Sequence, residues 1–301
     1  MNAPTKFDVL LPLLACPKCQ ADLHRVEACD NCSAEFPVQD GVRSYIPHDA
    51  VRDVTYRFTS ARSTPGPGFE AALSYPPQCG AAGNVYHLDL AHLAVIDRLS
   101  PGARVLEIGC GGGQMREFLA SRGIAYIGVD ISANERVTAD LQVHGGPDLL
   151  CDAHFLPFRD QSFDLVYSSA VTEHLASPYL VAQEVFRTLK PGGHYLGNGS
   201  FLEPWHDASY FHMSVLGAFE FLTQAGYEVD HVWPGKGYSG YRALMTMGNR
   251  ATQRTVFLGE ALHSLYRFSN NLRARLKGVP RSIVDDARVA GATDWIAHRP
   301  A

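Results

Sequence analysis

No apolar run in this sequence approaches the roughly 18 to 20 residues needed to cross a bilayer, because charges or Pro/Gly clusters interrupt every candidate. The expectation is a chain that is not an integral membrane protein. A leader is poorly represented too. The segment VLLPLLAC, Val9 to Cys16, ends in Leu-x-Ala-Cys as lipoprotein signals do, but it is short, Asp8 borders it and only Lys6 supplies positive charge. Overall positive charge is also missing: 26 Lys/Arg face 31 Asp/Glu, a net charge of −5 over 301 residues. Residues 241–301 hold ten Lys/Arg against four Asp/Glu, a net +6 that leaves −11 for residues 1–240. That balance disfavours a nucleic-acid-binding core, although the basic tail keeps nucleic acid open as a partner. With 46% hydrophobic and 19% charged residues the composition is that of a globular protein, and the length suits one full-sized domain with appendages.

Cysteine is scarce and uneven. Of seven, four form two Cys-x2-Cys knuckles, Cys16-Pro-Lys-Cys19 and Cys29-Asp-Asn-Cys32, separated by nine residues. Each knuckle can turn two thiolates toward one point, and two facing knuckles give the tetrahedral sulfur cage that Zn²⁺ accepts. Four protein ligands leave no open position, so such a zinc is structural. A segment of about 30 residues has little core of its own, and metal binding would supply the missing folding energy. Two disulfides or reactive thiols are the alternatives, and a paired set with intervening turn formers fits them less well. Metal ligation by clustered thiols points to a reducing compartment, hence a cytoplasmic protein. Cys79, Cys110 and Cys151 read as ordinary small residues.

Residues 60–84 are dominated by Pro, Gly and Ala and lose periodicity, as in a connector or a lid over a ligand, with one short helix around Phe69 to Leu73. Tyr86 and His87 open an amphipathic helix running to Leu99. After Pro101-Gly102 comes Arg104-Val-Leu-Glu107-Ile-Gly109-Cys-Gly111-Gly-Gly113-Gln114, an apolar strand feeding a Gly-rich turn and a helix. This arrangement brings backbone N–H groups close to a nucleotide-like ligand. A P-loop is excluded because the Gly-Lys-Ser/Thr ending is absent, and Gln114 departs from the dinucleotide pattern. The next strand ends at Asp130, 17 residues beyond Gly113, where a carboxylate can accept ribose hydroxyls. A third strand ends at Asp152-Ala153, LPFRDQSFDLVYSSAVTEHL supplies a fourth, and LKPGGHYLGNG a fifth.

From about Leu88 to Gly248 these elements resemble the class I S-adenosylmethionine (SAM) dependent methyltransferases, in particular the broad UbiE-like (type 11) group. The resemblance implies an α/β fold with a doubly wound, seven-stranded Rossmann-like sheet. It places Glu107, Gly109, Gly111 and Gly113 around the methionine part of SAM, Asp130 on the ribose, and Asp152 and Ala153 at the adenine. Taken singly, the glycines could be turn glycines and the two aspartates helix N-caps. Residues 9–47 resemble the Trm112-like zinc ribbons in front of some bacterial methyltransferases. The implied layout is a zinc-ribbon module (1–48), a linker or lid (49–87), a methyltransferase domain (88–248) and a basic helical extension (249–301).

Ligands of doubly wound sheets bind outside the carboxyl ends of the strands. The loop after the fifth strand, Ser200 to His212, combines aromatic side chains with Glu203, His206, Asp207 and His212. His206 is the first candidate for general base, with His212 and Glu203 behind it, since a His with pKa near 6.5 accepts a proton at neutral pH. His174, in a Glu-His pair, is a further candidate or a packed structural residue. Phe211 to Gly226 reads as a helix, and Tyr227 to Trp233 with Tyr241 to Met247 as a final antiparallel strand pair. A helix from about Thr252 to Leu276 presents an apolar face suited to packing on the core or in a homodimer; contact with a membrane or an acidic partner is the lesser option. The functions in view are methyl transfer from SAM to O or N of a small-molecule acceptor in specialised metabolism, RNA methylation using the zinc ribbon, and SAM binding without turnover.

Overall fold

The computed structural model describes residues 6–53, 65–80, 88–133, 145–206, 208–246 and 255–301. Its centre is a seven-stranded sheet of β3 (Arg104–Ile108), β4 (Ala125–Asp130), β5 (Leu149–Leu150), β6 (Phe163–Ser169), β7 (Leu189–Ser200), β8 (Glu228–Pro234) and β9 (Ala292–His298), in the order β5-β4-β3-β6-β7-β9-β8. The pairs among β5, β4, β3, β6 and β7 are parallel, whereas β9 runs antiparallel to both β7 and β8. Strand order reverses beside β3, so the exits of β3 and β6 diverge and leave a crevice at their carboxyl ends. The central strands are covered on both faces, which is why they read as near-continuous apolar runs.

Local sequence sets the helix ends. Asp89 caps the helix Leu90–Ile96 and forms a reciprocal box with His92; Ser214 caps Val215–Ala225, which stops at Gly226 with φ 101°. The latter helix therefore starts later than Phe211. Of the linker, residues 49–53 and 65–80 are described. There Phe69–Ala72 is helical, the Phe69 ring meets Phe219 edge-on, and Leu73 bridges to Val232 of β8. Residues 54–64 and 81–87, including Tyr86 and His87, lie outside the described residues.

Two expectations are corrected. Residues Gly240–Thr246 form a helix, not the last strand; Met247 is outside the described residues. The partner of β8 is β9, whose ATDWIAH is buried at five consecutive positions between β7 and β8. The alternation in YRALMT fitted a strand, but only Ala243 is buried there, while the apolar run suited to a covered position lies near the end of the chain. The second correction concerns packing of the C-terminal helix on the core: along Val256–Lys277 the apolar residues Phe257, Leu258, Leu262, Leu265, Phe268, Leu272 and Leu276 face away from the rest of the chain and are exposed.

The N-terminal segment is a near-repeat. The hydrogen bonds Cys16 N to Ala21 O and Gln20 N to Cys16 O recur thirteen positions on as Cys29 N to Ala34 O and Ser33 N to Cys29 O, all 2.8–2.9 Å. Gln20 (φ 60°) and Ser33 (φ 58°) occupy equivalent left-handed positions. A two-stranded ribbon, β1 (Val38–Gln39) and β2 (Val42–Arg43), follows. The segment packs on the edge of the sheet: Ser44 bridges to Leu150 in parallel, Tyr45 N–H donates to Leu150 O, and Arg159 holds Leu14 O and Asp22. Leu10, Leu13, Leu14, Leu23, Phe36 and Tyr45 share one core with Phe158, Phe163 and Leu149. The short apolar run of the N-terminus is thus core material.

Candidate active site

The Gly-rich turn leaves β3 through three glycines with positive φ: Gly109 at 69°, Gly111 at 50° and Gly113 at 75°. Their demands differ. A Cβ on Gly109 would overlap Val171 Cγ2, so this glycine is required where the turn meets the loop after β6. Gly111 has open space where its Cβ would project, and this is the room a close-lying ligand needs. Asp130, at the tip of β4, is buried; its Oδ2 accepts from Gly111 N–H at 2.8 Å and its Oδ1 from Ile131 N–H at 2.7 Å. Burial pushes its carboxyl above the ordinary value, and the backbone donors partly offset this. The carboxylate and the glycine turn are therefore locked to each other.

Glu107 lies in β3 behind this turn and accepts from the Tyr126 hydroxyl at 2.5 Å. Burial raises its carboxyl to about 8. Arg116 stacks over the Tyr126 ring at 4.7 Å and pairs with Asp148 at 3.0 Å, while Asp148 also accepts from Gly128 N–H. Sequence reading did not find Tyr126, Arg116 or Asp148, because none stands in the glycine motif. The only signal was Gly128 in an apolar strand: a Cβ there would overlap the Tyr126 hydroxyl, so the glycine makes room for the ring folded back over it.

Past β5, Asp152 accepts from His154 N–H at 2.9 Å and from His154 Nδ1 at 2.6 Å, capping the short turn Ala153–Phe155. Burial works against its charge, yet the His154 hydrogen bonds hold the carboxyl below the ordinary value. Ser177 N–H donates to His154 Nε2, so Nδ1 carries the proton. Asp152 is thus the N-cap that its residue type allowed, at the strand exit where an adenine-facing residue was expected. Ala153 is buried beside it.

The second cluster forms where the β6 and β7 exits meet. Ala170 has φ 52° and Asn198 Oδ1 accepts its N–H and the Ser169 hydroxyl, which turns the chain into Thr172–His174. Glu173 is buried, and a Cβ on Gly199 would overlap Thr172, so β7 must carry a glycine for this turn to seat. Ser200 Oγ lies 2.6 Å from Glu173 Oε1 and 2.6 Å from Glu203 Oε2. One hydroxyl proton can serve only one of these oxygens at a time, so Ser200 bridges the two carboxyl groups. His206 Nδ1 lies 2.9 Å from Pro204 O and donates to it, so in the neutral ring the lone pair is on Nε2, 3.8 Å from Glu203 Oε2. The ring of His206 stands edge-on to His174 at 5.4 Å and is 5.7 Å from that of His212, whose Nε2 meets Ser209 Oγ at 3.2 Å. All four candidates, Glu203, His206, His212 and His174, come together, and Glu173 and Ser200 join them. Donor atoms of Glu173, His174 and His206 lie within 4.8 Å of one another, close enough to act on one bound atom. Val171 links the cluster to the glycine turn through Gly109. Asp207 lies outside the described residues.

At the cysteine knuckles, Cys16 and Cys32 sulfurs are 3.6 Å apart, as are those of Cys19 and Cys29, and none is in a disulfide. A disulfide would need about 2.05 Å. Four sulfurs about 2.3 Å from a tetrahedral Zn²⁺ are separated by roughly 3.8 Å, so the spacing fits that ion. Asn31 Nδ2 donates to Cys19 Sγ at 3.4 Å, the kind of outer support that thiolate ligands receive.

Strand order, the single antiparallel strand and the glycine turn define the class I methyltransferase fold. Residues 106–197 match the methyltransferase-domain family. An uncharacterised methyltransferase of Synechocystis sp. is 34% identical over 116 residues, 38% of this chain and 53% of that protein. A 24-methylenesterol C-methyltransferase 2 of rice is 36% identical over 140 residues, 44% of this chain and 38% of that protein. The chain therefore spans about half or less of the curated relatives it matches. Among solved structures, a phosphoethanolamine N-methyltransferase 2 of Haemonchus contortus in complex with SAM aligns over 70% of this chain and 52% of that one, at 19% identity and a TM-score of 0.45.

Proposed function

We propose that this protein is a SAM-dependent methyltransferase acting on an oxygen or nitrogen of a small molecule, with the acceptor held over the Glu173, His174, Glu203, His206 and His212 cluster. SAM would supply an electrophilic methyl on a sulfonium, taken in line by the acceptor's lone pair as the carbon–sulfur bond breaks and its electron pair stays on sulfur, leaving a neutral thioether. The residues of this chain have two tasks: to align the partners and to take the acceptor's proton. The observation that carries the reading is the His206 tautomer, fixed by Pro204 O so that Nε2 faces the cluster as a proton acceptor. Glu203, 3.8 Å away, would stabilise the imidazolium that forms. On the donor side, Gly109, Gly111 and Gly113 would receive the methionine part and Asp130 the ribose, with Asp152 and Ala153 at the adenine. The open space over Gly111 and the buried Asp130 carboxylate fit that use. Zinc, held by Cys16, Cys19, Cys29 and Cys32, would be structural, since four thiolates leave it no site for substrate.

The test is transfer of labelled methyl from SAM into a metabolite panel by wild type and His206→Ala. A general base contributes typically 10² to 10⁴-fold, so the variant should retain normal SAM affinity and lose at least ~100-fold in kcat, partly recovered as pH rises. Near-wild-type turnover would remove His206 from the chemistry. Labelling of structured RNA instead of metabolites would replace the acceptor class.

A further inference from the structure

The helix Val256–Lys277 is amphipathic in an unusual sense: its polar side is the one packed on the protein. Gly259 is buried close to Tyr241, where a Cβ would come within 2.6 Å of the Tyr241 carbonyl. His263 and Tyr266 meet the Tyr241 ring, and the Tyr266 hydroxyl donates to Asp285 O at 2.9 Å. On the opposite side Phe257, Leu258, Leu262, Leu265, Phe268, Leu272 and Leu276 are between 44% and 81% exposed. They recur at helical spacing along all six turns, a continuous apolar stripe far beyond the scattered exposed residues of an ordinary surface.

Charge selects the occupant. The helix carries Arg267, Arg273, Arg275 and Lys277, followed by Arg281, while its one carboxylate, Glu260, already pairs with Arg242 at 3.2 Å. A cavity of about 450 Å³ beside its inner side, also lined by Arg267, adds Lys236, with Arg281 paired to Asp286. A second copy laid along the stripe would bring these cations no free carboxylate on the facing helix. An anionic surface would complement them. No helix among the described residues is long and apolar enough to cross a membrane, and this one has five charged residues along its length. We infer that the Val256–Lys277 helix lies in the plane of an anionic lipid bilayer, its leucine and phenylalanine stripe in the acyl boundary and its basic side chains among the headgroups.

The inference goes beyond methyl transfer and stands or falls separately from it. Its test is flotation of the full chain with vesicles of phosphatidylcholine alone or with 30 mol% phosphatidylglycerol. Binding is expected to the anionic vesicles and to weaken at high salt. The triple variant Leu265→Glu/Phe268→Glu/Leu272→Glu should abolish it. Arg273→Gln/Arg275→Gln/Lys277→Gln, which alters only exposed side chains, should lower partitioning on the order of a hundredfold, the effect of three basic residues near such a surface. SAM affinity should be unchanged in both. Absence of binding to anionic vesicles at low salt would overturn the inference. So would a wild-type dimer in sedimentation that the Glu variant converts to monomer without any vesicle binding, since the stripe would then belong to a second copy.

Discussion

Glu107 makes the stability of this fold depend on pH in a direction opposite to that of most carboxylates. Burial raises its carboxyl from 4.5 to about 8, so between those values the folded chain keeps a proton that the unfolded chain has released. Stability then falls as pH rises, because unfolding releases that proton. The contribution is fully present below about pH 4.5 and is lost as pH passes 8. At 1.36 kcal/mol per unit the whole effect is on the order of 4 to 5 kcal/mol. Glu107→Gln keeps an oxygen to accept from Tyr126 but cannot ionise. The variant should match wild type near pH 5 and exceed it increasingly toward pH 9. Urea unfolding of both proteins without ligand, at pH 5, 7 and 9, gives the double difference, in which titrating groups that do not interact with Glu107 cancel. A wild-type to variant difference that stays constant across the three pH values would refute the argument and mean that Glu107 is ionised in the folded protein throughout.

Asp130→Ala should weaken SAM binding by roughly 1.5 to 3 kcal/mol, the usual loss for a charged hydrogen-bond partner, with the fold retained; calorimetry showing unchanged affinity would move the ribose site elsewhere. Purified protein should contain about one zinc per chain, and its removal by a chelator should unfold residues 14–45 first, as followed by hydrogen exchange; elemental analysis without zinc and with oxidised cysteines would count against the cage. Gly109→Ala should destabilise the chain because its Cβ overlaps Val171, and Val171→Ala should recover part of the loss. If the double variant is no better than the single one, the left-handed φ of Gly109 is the whole cause.

The glycine turn, Asp130 and the cysteine knuckles were legible because their chemistry is local: turn conformation, strand-end position and ligand spacing are all written within short stretches. Glu203, His206 and His212 were also visible, as one loop rich in proton acceptors. Their junction with Glu173 was not, since it depends on Ser200 reaching both carboxyls and on Gly199 admitting the turn from the neighbouring strand. Tyr126 was missed for a similar reason; its hydroxyl serves Glu107 across two strands. The last strand was misplaced because Tyr241–Met247 and 292–298 both carry short apolar patterns, and only sheet pairing tells them apart. For the Val256–Lys277 helix the pattern gave the apolar face correctly, yet an amphipathic sequence carries no sign of which side will meet protein.

The position of β9 sets an order of assembly on the ribosome. Residues 228–234 emerge early, but the strand that separates them from β7 is made about sixty residues later. Until it arrives, β7 presents an open edge along Tyr195 to Ser200, and β8 has no sheet to join. A nascent chain paused before residue 292 could close this edge by pairing β8 with β7 directly, an arrangement that must come apart before β9 can insert. Such a chain is held in a state open to edge-to-edge association, so a factor that shields strand edges during synthesis would raise the yield of folded protein more than one that acts on the completed chain.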